Sequence, residues 1–232
     1  MGKTLTQQKR GKGSPTYRSN SFNFAGDVSN LQGKGTVVDI INSVGHTAPL
    51  LVMKYEDNKN NLIIAPEGIR VGDVLEKGDN VPIKLGNCLP LSKIPEGVII
   101  FNLETVPGDG GRLVKSSGGF AKIVSKTKNK VFVKLPSGKQ KEFNPKCFAT
   151  VGLIAGAGRT DKPFMKAGIK FKAMKAKGKY WPSVSAASMN AVDNPLGGAR
   201  SSRKGRSTIA PRNAPPGRKV GMIRPRHTGR NR

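Results

Sequence analysis

Four glycine clusters in the sequence could bind phosphate, because the backbone N–H groups of a glycine-rich turn can surround an anion. They are PGDGGR (107–112), SSGG (116–119), GLIAGAGR (152–159) and LGGAR (196–200). None has the nucleotide-binding spacing G-x-x-x-x-G-K-[ST], and none fits G-x-G-x-x-G between a strand and a long helix. We interpret the first two clusters as turns between strands that need no ligand.

The cysteines and histidines are too few and too far apart to form a metal site. Cys88 and Cys147 are 59 residues apart, and His46 and His227 lie far from both. This spacing fits neither a zinc site nor a disulfide framework, and it is typical of a reducing compartment such as the cytoplasm. The sequence also has no Ser/His/Asp or Cys/His set in a plausible context. It therefore predicts no enzyme, no metal ligand and no cofactor.

The charge of the chain is concentrated at its two ends. The formal net charge is +27 and the pI is about 10.6. Residues 1–20 and 159–232 hold 24 of the 41 basic residues but only two of the 14 acidic residues, Asp161 and Asp193. Such a surplus indicates a polyanionic partner. No apolar run approaches the length that spans a bilayer, so we expect no membrane partner.

A lysine-rich segment (residues 162–179) combines positive charge with aromatic rings. Ammonium groups can neutralise phosphates and flat rings can stack on exposed bases, although the rings could equally pack the segment against the preceding strands. We predict that the segment binds nucleic acid through Lys162, Lys166, Lys170, Lys172, Lys175, Lys177 and Lys179, with Trp181 after them. Phe164, Phe171 and Tyr180 supply the other rings.

The two ends of the chain add further basic candidates. Arginine grips phosphate through two parallel hydrogen bonds and stacks on bases, which suits a folded RNA better than a general acidic surface. We predict phosphate contacts for Lys9, Arg10, Lys12 and Arg18 at the N-terminal end, and for Arg159 before the lysine-rich segment. In the C-terminal tail the candidates are Arg200, Arg203, Lys204, Arg206, Arg212, Arg218, Lys219, Arg224, Arg226 and Arg230.

The centre of the chain has the pattern of a mainly β protein. Short runs rich in β-branched residues, such as TVVDII (36–41), PLLVMKYE (49–56) and NLIIAPEGI (61–69), predict a first small barrel of OB-fold size over 35–92. A second series, which includes GRLVKS (111–116) and KVFVKL (130–135), predicts a barrel of SH3-like size over 93–158. In KVFVKL the alternation places Val131, Val133 and Leu135 on one face.

The flanking regions have a different composition. Residues 1–34 are rich in Gly, Ser and Asn, which predicts an extended basic arm. Residues 159–232 are predicted to form short helices followed by an extended basic tail. In that region Asp161 is a candidate helix cap and Gly168 a candidate break between two short helices.

Several long segments of the sequence match those of a known protein family. The chain resembles the universal L2 family of large-subunit ribosomal proteins, in its archaeal and eukaryotic form, along almost its entire length. The resemblance rests on segments that include IKLGNCLPLSKIPEG (83–97), PGDGGRLVKSSGGFA (107–121), GRTDKPFMKAG (158–168), MNAVDNPLGGAR (189–200) and APPGRKVGMIRPRHTGR (214–230).

This resemblance implies an OB-fold followed by an SH3-like barrel with extended basic ends. It implies binding to large-subunit rRNA during assembly, with roles in subunit association, tRNA binding and support of the peptidyl transferase centre. The implied partners are large-subunit rRNA, neighbouring ribosomal proteins and, at the subunit interface, small-subunit rRNA and tRNA. Any Mg²⁺ would be held through rRNA phosphates. A loop over 183–200 would reach toward the centre and add Asn190, Asp193, Asn194, Gly197 and Gly198 to the rRNA contacts.

One position departs from the family pattern. Where the family usually has a histidine that was once proposed to assist peptide bond formation, this chain has Asn194. An amide has no proton to exchange near neutral pH, so this position cannot act as an acid or base. Two other hypotheses stay open on the sequence: a sequence-tolerant DNA or chromatin-type binder, and an enzyme that binds nucleotides at its glycine clusters.

Overall fold

The computed structural model describes residues 2–18, 24–29, 32–57, 59–198 and 208–222. The chain divides into two compact units. One, which we call the β unit, comprises Ser21–Met165, and the other, the terminal unit, comprises Met1–Asn20 together with Lys166–Arg232. The two ends of the sequence therefore belong to one unit, and the four-segment division expected from the sequence stays a prediction.

The described part of the β unit contains ten short strands, and the predicted mainly β fold is confirmed. Most of them coincide with the runs of β-branched residues that the sequence separates by Gly, Pro and Asn turns. They are β1 (Gly33–Ile41), β2 (Leu50–Tyr55), β3 (Asn60–Ile64), β4 (Val74–Lys77), β5 (Cys88–Pro90), β6 (Ile99–Phe101), β7 (Ala121–Lys126), β8 (Val131–Lys134), β9 (Gln140–Phe143) and β10 (Phe148–Val151).

All ten strands join in one sheet, in the order β3-β2-β1-β4-β5-β10-β6-β7-β8-β9. Neighbouring strands are antiparallel except β4 and β5, which are parallel and share the single pair Lys77 and Cys88. This pair separates two groups of strands, β1 to β4 and β5 to β10, and the two β modules predicted over 35–92 and 93–158 stay a prediction. The boundary predicted at 92/93 lies just after β5, which pairs with β10 of the second group.

Three apolar clusters hold the β unit together. The largest lies in the second group of strands and includes Leu89, Ile100 and Ile123. The first group has its own cluster around Leu51 and Met53. A third cluster joins Leu50 and Ile64 of the first group to Phe101 and Ile154 of the second. Because each group alone is near the lower size limit for stable folding, this shared cluster stabilises both.

Three strands show how the sequence prediction compares with the structure in detail. In β8, Val131 and Val133 are buried and Lys134 is exposed, so the predicted alternation is confirmed. The strand predicted over 111–116 is absent: Val114 has φ 55, and only an isolated bridge joins Leu113 to Leu103. A left-handed residue interrupts the extended backbone that a ladder requires. The sequence analysis missed β9, whose four residues bury only Phe143.

The described part of the terminal unit has little regular structure. Its N-terminal end contains helix α1 (Thr6–Gly11) and a short 3₁₀ helix, Pro15–Tyr17, where an extended arm was expected. Leu5, which is buried, precedes α1, and its backbone N–H donates to Oε1 of Gln8 at 2.8 Å. This hydrogen bond satisfies one of the N–H groups that a helix start leaves without a partner.

Helix α2 (Ala167–Ala176) occupies most of the lysine-rich segment. It begins later than predicted, because its N-cap is Lys166 and not Asp161, and Gly168 lies in its first turn without breaking it. Lys162 precedes a proline and is extended, with φ −84 and ψ 112, so no helix can begin there. Among the described residues no helix is long and apolar enough to cross a membrane.

Candidate nucleic-acid interface

Helix α2 buries none of its residues. Ile169 and Phe171 are 53% and 46% exposed, although both are large and apolar. Helices in folded proteins gain most of their stability by packing one face, and an isolated helix of this length is marginal in water. The exposed face of α2 is therefore suited to a partner outside the chain.

The lysines of this segment point to the nature of that partner. In the described part of the chain, no ion pair is found for Lys162, Lys166, Lys172 or Lys175, and all four are exposed. Nζ of Lys170 lies 5.4 Å from the ring centroid of Trp181, a cation–π contact that keeps this half-buried ring beside the helix. Lys177 is half-buried and Lys179 is exposed. Phosphate groups would supply the opposite charge that the segment lacks.

The predicted N-terminal contacts lie on or just after α1 and share the terminal unit with α2. Lys9, Arg10, Lys12 and Arg18 are all exposed. Gln7 fixes α1 to the C-terminal region, since its Nε2 donates to the backbone oxygen of Lys219 at 2.9 Å. The basic residues of both ends are thereby brought together in one unit.

A closed loop over 189–198 carries the residues that the family resemblance singled out. The backbone oxygen of Asn190 accepts hydrogen bonds from the N–H groups of Asp193 and Asn194, at 3.0 and 3.1 Å. The loop closes where the N–H of Gly198 donates to the backbone oxygen of Met189 at 3.0 Å. Gly197 is required because a Cβ there would lie 2.5 Å from that oxygen.

Two polar side chains complete the loop. Oδ1 of Asn194 accepts a hydrogen bond from the N–H of Leu196 at 2.9 Å, so the amide holds the turn. Asp193 lies 3.5 Å from Nζ of Lys3, and the N–H of Lys3 donates to the backbone oxygen of Val192 at 2.9 Å. The only acidic residue of the C-terminal tail is therefore used within the terminal unit.

The predicted tail contacts are described only in part. Arg212 and Arg218 are exposed, and Nζ of half-buried Lys219 donates to the backbone oxygen of Arg212 at 3.4 Å. A bridge between Ile209 and Met222 closes this part of the tail. The predictions for Arg200, Arg203, Lys204, Arg206, Arg224, Arg226 and Arg230 lie outside the described residues.

Arg159 belongs to the β unit, as Lys162 does, whereas the other described candidates belong to the terminal unit. It is exposed, and its Nε donates to Oγ of Ser117 at 2.9 Å. Its guanidinium group thus helps to fix the SSGG turn and still has other N–H donors for phosphate.

The first glycine cluster, PGDGGR (107–112), has a structural explanation. At Gly111, with φ 88, a Cβ would lie 2.3 Å from Oδ1 of Asn102. The Asp109 carboxylate next to it accepts hydrogen bonds from the N–H groups of Thr105, Val106 and Gly111 and from the Thr105 hydroxyl. Burial pushes the pKa of Asp109 up, but these hydrogen bonds outweigh it and leave the pKa below its usual value. The Asp109 carboxylate thus accepts the hydrogen bonds of the loop N–H groups that could otherwise bind a phosphate.

Residues outside the predicted set also build the interface. Lys3 and Gln7 connect the N-terminal end to the loop and to the tail, yet the sequence analysis does not single them out. Gln7 and Lys219 are 212 residues apart in the sequence. No local spacing signals a hydrogen bond between such distant residues. Among the described residues there is no cluster of His, Cys, Asp and Glu that could hold a metal ion.

The fold and this surface define a class: mainly β proteins that carry a lysine-rich extension suited to a polyanion. The family model described as ribosomal proteins L2, C-terminal domain, matches residues 84–218. The chain is 48% identical to the large ribosomal subunit protein uL2 of Methanothermobacter thermautotrophicus and 46% identical to that of Methanosphaera stadtmanae, over the full length of each chain. It is 47% identical to that of Methanococcus maripaludis strain C5, over 99% of this chain and 100% of the relative. The chain therefore belongs to the ribosomal protein L2 family.

Proposed function

We propose that this protein is a structural constituent of the large ribosomal subunit that binds its rRNA through the terminal unit. In this proposal it supports subunit assembly, subunit association, tRNA binding and the peptidyl transferase centre, and it acts on the ribosome in the cytoplasm. Its partners are large-subunit rRNA, neighbouring ribosomal proteins and, at the subunit interface, small-subunit rRNA and tRNA. The role is structural and not enzymatic.

The observation that carries this proposal is helix α2, which has many lysines and buries no residue. A helix that leaves Ile169 and Phe171 largely exposed gains little from its own chain. Folded RNA offers phosphates for the ammonium groups and base faces for the rings on one surface. Family membership then favours the large-subunit rRNA over other RNAs.

The loop over 189–198 supports a positioning role near the reaction centre and not a chemical one. The amide oxygen of Asn194 accepts a hydrogen bond from the N–H of Leu196, and the amide neither gains nor loses a proton near neutral pH, so it cannot act as an acid or base. In a ribosome that contains this protein, an imidazole at this position is therefore not essential for peptide bond formation.

Equilibrium binding to a purified large-subunit rRNA fragment at several salt concentrations tests the proposal. If about eight of the basic residues in the two ends meet phosphates, log K should fall against log salt with a slope of about −6 to −7. A slope near zero would contradict the electrostatic account.

A competition experiment separates RNA from DNA. Structured rRNA and duplex DNA of matched phosphate number are offered to the protein at one salt concentration. We expect the rRNA to displace the DNA. Preference for the duplex DNA would instead favour the chromatin-type hypothesis.

A further inference from the structure

The terminal unit contains a cleft between its N-terminal end and the residues after α2. Its volume is about 640 Å³. The N-terminal end contributes Arg10 and Tyr17 to its walls, and the region after α2 contributes Lys179, Tyr180 and Asn194. Sites for single small molecules or groups measure about 300–1,000 Å³. The cleft can therefore hold one nucleotide, but not a base-paired duplex.

Two tyrosine rings define where a flat group can bind. The rings of Tyr17 and Tyr180 have centroids 6.3 Å apart and planes tilted by 34°. Rings whose centroids are about 4.5–7 Å apart are already in direct contact, so a base cannot enter between Tyr17 and Tyr180. Tyr180 is 45% exposed, whereas its neighbour Tyr17 is half-buried. The free stacking surface is thus a face of Tyr180, which Tyr17 supports.

The charges of the cleft favour an anion. Arg10 and Lys179 contribute two positive charges. Asp193, the one acidic residue of the described walls, lies 3.5 Å from Nζ of Lys3, which opposes its negative charge. A cleft with two cations and an open aromatic face matches a phosphate joined to a base.

We propose that this cleft binds one unpaired nucleotide of an RNA strand, with its base stacked on Tyr180 and its phosphates neutralised by Arg10 and Lys179. The inference rests on the proposed function, because the strand would be rRNA. Only an unstacked base presents a face to a side chain, so the nucleotide belongs to a loop, bulge or strand end.

The test compares two RNAs of equal length and phosphate number, one single-stranded and one a hairpin duplex. Both are titrated with the full chain at one salt concentration. Tyr180→Ala should weaken binding to the single strand about 5- to 150-fold, as the loss of one base stack predicts, and change binding to the duplex by about 2-fold or less. Tyr180→Phe keeps the ring and should bind the single strand within about 2-fold of the unchanged protein.

Phe120→Ala is the matched control. Phe120 lies in the β unit and is 46% exposed, almost the same as Tyr180, so its removal deletes an equally accessible ring outside the cleft. It should leave the ratio of single-strand to duplex affinity unchanged. A Tyr180→Ala variant that weakens both RNAs equally, or neither, would overturn the proposal.

Two further measurements test the proposal on the unchanged protein, so they remain informative even if Tyr180→Ala misfolds. Ultraviolet cross-linking of purified large subunits should join a nucleotide to the peptide that contains Tyr180, and a cross-linked peptide set without it would refute the cleft. Free AMP should compete with the single strand only weakly, because it lacks the neighbouring phosphates. Block by micromolar AMP would instead indicate a free-nucleotide site.

The outcomes distinguish this inference from the proposed function. If the unchanged protein does not bind structured rRNA at all, the proposed function fails. If it binds rRNA with a steep salt dependence while Tyr180→Ala has no effect, only the cleft proposal fails.

Discussion

Substitution of the lysines of α2 in pairs measures how the helix meets RNA. With 3.6 residues per turn, successive residues are about 100° apart around the axis. Lys172 and Lys175 then lie about 60° apart on one side of α2, and Lys170 lies on the opposite side, one turn after the N-cap residue Lys166. We therefore compare Lys166→Gln/Lys170→Gln with Lys172→Gln/Lys175→Gln.

The expected magnitude follows from the number of phosphate contacts removed. Each lost contact to duplex RNA reduces the salt slope by about 0.9, so a contacting pair should reduce it by about 1.8. If the variant and the unchanged protein bind equally at 1 M salt, this change in slope equals about a 60-fold loss of affinity at 0.1 M salt. Since apolar residues of α2 are exposed as well as its lysines, we expect RNA on both sides of the helix, and both pairs should show this loss.

The assay is titration of a large-subunit rRNA fragment at four or more salt concentrations. The matched control is Lys34→Gln/Lys59→Gln in the β unit, which removes the same net charge. Those lysines are already paired with carboxylates, at 3.8 Å to Glu76 and 3.7 Å to Asp57. The control should change the slope by much less than 1.8.

Two results would refute parts of this reasoning. If only one pair changes the slope, RNA covers one side of α2 and the helix is not enclosed. If the control pair lowers the slope as much as the α2 pairs do, the protein responds to net charge alone and α2 is no specific contact.

Two further predictions concern the loops. Asp109→Asn should lower the free energy of unfolding of the β unit by about 1 kcal/mol at neutral pH, because the carboxylate accepts hydrogen bonds from Thr105, Val106 and Gly111. The pKa of Asp109 is depressed in the folded protein, so this stability is present above the unfolded pKa and is lost as pH falls through the folded pKa. Urea unfolding should therefore show the difference in unfolding free energy between the variant and the unchanged protein vanish in acid. A difference that persists in acid would contradict this. Gly197→Ala should open the loop over 189–198, since its Cβ would lie 2.5 Å from the backbone oxygen of Asn190. Hydrogen exchange at the Gly198 N–H should become faster, and unchanged protection would show that the loop adapts.

The sequence predicts most of the β unit because its strands have strong local signals. In β8 the alternating valines alone determine which side faces the core. The predicted strand over 111–116 failed because composition does not reveal that Val114 adopts φ 55. The polar residues of β9 gave no signal, since its position depends on pairing with β8 and not on its own apolar side chains.

The terminal unit was harder to predict because its order comes from contacts between distant residues. The sequence identifies the basic residues and the loop over 189–198 but not the hydrogen bond between Gln7 and Lys219. The start of α2, in contrast, depends on a local preference that can be read from the sequence. Lys162 precedes a proline, which disfavours helix at that residue, so the later start could have been predicted.

The hydrogen bonds of Lys3 and Gln7 also set an order of events during synthesis. Their partners, Val192 and Lys219, are synthesised after the whole β unit, which ends at Met165. A growing chain can fold its sheet before Lys3 and Gln7 have their partners. A chain that terminates before Val192 would thus keep the residues of the β unit but lack these two contacts.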